Sequence, residues 1–75
     1  MASRTDEEKL RALLPHWIDH NDEHAAEFRL WAEKARAAGR DDVAEEITLA
    51  AKQLAWVNEA LSDARKKLEG RTETL

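Results

Sequence analysis

One short break, Gly39-Arg40-Asp41-Asp42, divides this chain into two segments that both read as helix. A glycine directly after the last periodic apolar residue supplies the left-handed backbone on which helices stop, and the aspartates behind it suit the first turn of the next helix. Upstream, Thr5-Asp6-Glu7-Glu8 has the form of a capping box, a hydroxyl for the orphan backbone amides with a glutamate three residues on. Downstream, Asp42 with Glu45 repeats that logic, and Gly70 offers a second stop. The reading is all-α: an antiparallel helical hairpin in one domain, residues 1–75. Helix 1 spans about 6–38, the turn 39–41 and helix 2 about 42–69, with a frayed tail at 70–75. At about 1.5 Å per residue the helices reach roughly 50 and 42 Å. Two valines, two isoleucines and no tyrosine leave little for strands.

Pro15 falls inside helix 1. It cannot donate to the carbonyl four residues back and its ring crowds that turn, so a kink near residues 11–14 is expected. The alternative is a short helix over 6–13 followed by a second one.

Two helices of this composition bury little. Of 32 apolar residues among the 75, 14 are alanine, so 18 larger apolar side chains remain, and no cysteine can staple them. Chains of this size usually need a metal or a partner. A hairpin leaves one side of each helix wet, and pairing two hairpins into a dimeric four-helix bundle is the default solution. Ile47, Leu54, Leu61 and Leu68 recur every seven residues in helix 2, with Val43, Ala50, Val57 and Ala64 between them, an unbroken pairing seam. Leu49 and Trp56 lie on the outer side of that helix and mark a contact surface for another protein or subunit.

Charge narrows the partners. Twelve basic and sixteen acidic residues are interspersed and give a net charge of −4. A nucleic-acid partner is not expected, because no basic stripe is present to neutralise phosphates. No apolar run approaches the ~20 residues of a membrane span, and no signal-peptide core precedes the helices. A cytoplasmic setting follows by default.

Helix 1 carries the unusual pattern. Leu10, Leu14, Trp17, Phe28, Trp31 and Ala35 form one stripe whose central positions hold Asn21 and His24. All three histidines fall in one window as His16-x-x-x-His20-x-x-x-His24, with Glu27 three residues on. Side chains four apart stack on one helix face about 5–6 Å apart at Cβ. Two imidazoles so placed can grip one ion, with Glu27 as a third ligand and His16 in support. Imidazole and carboxylate without sulfur suit nickel, zinc, copper(II), cobalt or iron(II). One helix rarely completes a coordination sphere, and helix 2 has no histidine. A second copy of helix 1 is therefore the natural source of more ligands.

The plainer reading is that His24 and Asn21 form a polar layer fixing helix register, with His16 a surface histidine. Enzyme signatures are missing: there is no His-Glu-x-x-His, no Glu-x-x-His and no glycine-rich phosphate loop. No enzyme is expected.

The segment Leu14-Pro15-His16-Trp17-Ile18-Asp19-His20-Asn21-Asp22-Glu23-His24-Ala25-Ala26-Glu27-Phe28 resembles the LPHWIxHNxEHAxEF-like motif of a small uncharacterised prokaryotic helical domain family. The resemblance covers roughly residues 10–69. Members occur alone or beside short domains similar to nickel-binding accessory proteins, so it implies metal handling, with nickel a candidate. His16, His20 and His24 match that family's histidines, and Asp22 stands at a position read as variable. Two functions follow: a non-enzymatic metal-handling or accessory domain, or an oligomerisation module whose His/Asn layer sets helix pairing without metal.

Overall fold

The computed structural model describes residues 4–73, with side chains described for 5–70. Two helices, α1 (Arg4–Ala37) and α2 (Asp41–Glu73), pack antiparallel as a hairpin. The turn re-uses several of the backbone groups that the helix ends free. Gly39 takes a φ of +79°; its amide donates to the Arg36 carbonyl, and the Arg40 amide reaches back to the Ala35 carbonyl. Those two bonds close the C-terminus of α1 in the left-handed glycine cap. Arg40 then starts α2, since its carbonyl accepts from the Ala44 amide. The Asp42 carboxylate accepts from Arg40 and from the Val43 amide. The Arg40 guanidinium, and then the Val43 amide, hold that carboxyl below its ordinary value.

Helix ends differ from the sequence reading in two places. The first helix begins at Arg4, so Thr5 lies inside its first turn and does not cap it. The second runs through Gly70 to Glu73. Gly70 keeps a right-handed backbone, and only Gly39 has positive φ. A glycine ends a helix only when it adopts the left-handed conformation; in helical geometry it merely weakens the turn. The expected frayed tail is therefore helical over 70–73, and its last two residues lie outside the described ones. Pro15 sits within one continuous α1, so the chain is not split there into two helices.

The contact between helices is built from small residues. Ala25 and Ala32 of α1 and Ala44 and Ala51 of α2 are buried, joined by Leu14 and Asn58, and among the described residues no large side chain is fully enclosed. This corrects the seam read from the sequence. The α1-facing row of α2 is Ala44-Ala51-Asn58, one position on from Val43-Ala50-Val57, and it contains a buried polar residue. Val43 and Val57 remain exposed, and Ile47, Leu54 and Leu61 occupy the edge between the two rows. Alanine at the closest approach lets backbones come together, which displaces bulkier residues to the sides of the contact.

Asn58 locks the register. Its amide nitrogen donates to the Ile18 carbonyl at 3.1 Å and to Asp22 Oδ1 at 2.8 Å, while its oxygen accepts from Asn21 Nδ2 at 3.0 Å. Further along, Leu10 and Leu14 adjoin Ala64 and Leu68, and Phe28 adjoins Ile47 and Ala50. The two sides of the hairpin differ. One is polar, lined by Asp22, Glu59, Ser62, Asp63 and Lys66 around Asn58. The other carries the apolar side chains that the alanine seam leaves uncovered.

Candidate metal centre

The histidines stand midway along α1, on the edge of that apolar side. His24 follows Asn21 by three residues and so lies about 60° round the helix from the residue that binds Asn58. Its side chain is 44% exposed, half in contact with the hairpin and half open. Trp17 and Trp31 flank it one heptad to either side at 40% and 54% exposure, and Lys34 Nζ lies 4.3 Å over the Trp31 ring. Phe28 lies behind the imidazole, with ring centroids 6.1 Å apart.

His20 and His24 are brought together. Their Nε2 atoms are 3.0 Å apart and the rings meet edge to face. Two nitrogens at ~2.1 Å from one ion are separated by about 3.0 Å at a right angle and about 3.4 Å at the tetrahedral angle. The pair therefore has the bite of two adjacent ligands. Without an ion, one ring must donate the proton that the other accepts. Glu27 Oε1 lies 3.5 Å from His24 Nδ1, where a ring proton on Nδ1 would face a carboxylate. Glu27 is thus on the opposite edge of the ring from the His20 contact. The Glu27 contact steadies the His24 ring at this edge.

His16 stacks on His20 with centroids 6.1 Å apart and is exposed, one turn further from the pair's open edge. Among the described residues no group of three or more histidine, aspartate or glutamate side chains converges to hold an ion alone. One chain therefore brings two ring nitrogens together with a carboxylate beside them.

Asn21 belongs to the hairpin contact rather than to the histidine cluster, since its amide is engaged by Asn58. The sequence reading missed Asn58 and Asp22. Asn58 did leave a signal, because it continues the seven-residue spacing of Ala44 and Ala51 and is the only amide in that row.

A family model described as a domain of unknown function, DUF8180, matches residues 10–68. The chain belongs to that family. The matched span holds the turn, the histidine cluster and the whole Asn21–Asn58–Asp22 layer. No curated protein and no solved structure matches the chain. Among the described residues no helix of this DUF8180 domain is long and apolar enough to cross a membrane.

Proposed function

We propose that this DUF8180 domain is a small non-enzymatic metal-binding protein that handles a divalent transition ion, with nickel, zinc and copper as the candidates. The observation that carries the reading is the His20–His24 pair, Nε2 to Nε2 at 3.0 Å, with His24 oriented by Glu27. For both Nε2 atoms to face one ion, the ring that holds its proton on Nε2 must carry it on Nδ1 instead, so loading shifts a tautomer and two neutral rings release no proton. His16 supports the pair from its outer side. Two protein nitrogens bind weakly, and self-association as a homodimeric four-helix bundle supplies the missing ligands. A kink at Pro15 belongs to the same reading, as it tilts the Leu10–Leu14 end relative to the histidines. Exposed Leu49 and Trp56, on the far side of α2, are a docking point for a client.

The second reading is an interaction module without metal. The Asn21–Asn58 bond favours it, since that polar layer specifies helix pairing within the hairpin. Calorimetric titration of metal-free protein with nickel, zinc and copper separates the two. Micromolar or tighter binding that disappears in both His20→Ala and His24→Ala supports the metal reading. Heat no greater than that of a chain with the histidines scrambled leaves only the module.

A further inference from the structure

We infer that the partner completing the site is a second copy of this chain docked antiparallel, with a twofold axis passing between the two His24 side chains. The inference rests on the metal-binding reading above and specifies its partner and geometry.

Surface area shows a hairpin too extended to be a compact monomer, and its uncovered apolar side chains lie on the side that carries His24. The chain exposes 5973 Å², against about 4,700 Å² for a compact monomer of its mass. Its radius of gyration is 16.9 Å, where about 11 Å is usual for this length. Covering the excess on two chains would bury roughly 2,500 Å² in all, in the range of obligate homodimers.

The pattern on that side is nearly the same read from either end. His24 stands level with Leu54, because Asn58 spans Ile18 and Asp22 while Phe28 faces Ile47 and Ala50. On α1, Trp17 and Trp31 lie seven residues to either side of His24; on α2, Ile47 and Leu61 lie seven to either side of Leu54. The outer row pairs small with large about the same level, Ala50 with Val57 and Ala64 with Val43. Rotating a second hairpin about an axis across the helices at this level stacks α1 on α1 and α2 on α2. Trp17 then meets Trp31 of the other copy, Ile47 meets Leu61, and each valine meets an alanine. The acidic start of α2 (Asp41, Asp42) also comes to the level of Lys67 of its mate.

Histidine decides between the two possible twofolds. The parallel stack places α1 on α2, so each His24 faces a Leu54, an aliphatic side chain that offers no ligand, and the two histidine pairs stay apart. The antiparallel stack sets the two His20–His24 pairs against each other and offers four imidazoles to one ion, walled by the tryptophans and Phe28.

Pulsed electron paramagnetic resonance tests the orientation. The chain has no cysteine, so Ala37→Cys, at an exposed position, carries a single nitroxide. It lies thirteen residues from the axis level, and at 1.5 Å per residue the labels stand about 40 Å apart in the antiparallel dimer. In the parallel dimer both turns share one end and the separation falls below about 25 Å. Nickel titration of the same labelled protein gives the stoichiometry. A distance near 40 Å with one nickel per two chains supports the inference. A short distance, or a monomer, with nickel still bound overturns it and leaves the metal reading standing. The long distance with no nickel uptake overturns the four-imidazole site and the metal reading together, leaving an antiparallel dimer.

Discussion

Replacing Asn58 with alanine removes the one polar side chain buried in the hairpin contact, and its cost can be worked from its partners. Asn58 donates to the Ile18 carbonyl, accepts from Asn21 and donates to the Asp22 carboxylate. The two neutral bonds contribute about 1 kcal/mol each and the bond to a carboxylate about 1.5–3 kcal/mol. Asp22 is exposed and recovers water when its partner is lost, so the lower end applies to that bond. The half-buried Asn21 keeps part of its penalty. The net loss is about 3–4 kcal/mol, a large part of what a hairpin with an alanine seam can hold. In urea, followed by far-ultraviolet ellipticity at one fixed protein concentration, a slope near 1 kcal/mol/M turns this into a midpoint shift of about 3–4 M. Asn21→Ala and Asn58→Ala should couple by about 1 kcal/mol in a double-mutant cycle. A loss below about 1 kcal/mol for Asn58→Ala, or additivity of the two changes, would refute the view that this layer holds the helices in register.

Three further outcomes follow. The two glycines should respond with opposite sign: Gly39→Ala should destabilise the chain by about 1–2 kcal/mol because alanine resists positive φ, and Gly70→Ala should stabilise it by up to about 1 kcal/mol as a helical position; neither new methyl meets an atom within 4 Å, so thermal unfolding reads backbone alone. Glu27→Gln should weaken nickel binding about tenfold by calorimetry, as loss of an orienting carboxylate does, and complete loss would make Glu27 a ligand instead. Because the Asp42 carboxyl is held below its ordinary value by Arg40, its contribution is present above about pH 4 and is lost as pH falls through the lowered value; Asp42→Asn should therefore flatten the acid limb of the stability curve, and an unchanged limb counts against the Arg40 contact.

The sequence carried the helix count and the turn because Gly39 is the one glycine that the backbone uses for its special conformation. It also carried the histidine cluster, since four-residue spacing alone puts imidazoles on one face. What it obscured was the phase of α2. Val43, Val57 and the leucine row have the strongest apolar signal, whereas Ala44 and Ala51 have the weakest, and a contact made by close backbone approach selects the weak row. The same shift of one position hid Asn58. Spacing also placed Glu27 beside His24, but spacing along a helix cannot tell which edge of an imidazole a carboxylate will meet.

Native mass spectrometry of untagged protein, loaded with nickel and freed of excess, counts chains and ions in a single spectrum. The account predicts a species of two chains and one ion, with the ion absent from His24→Ala. Chains that carry no ion under conditions where the fold is intact would contradict it.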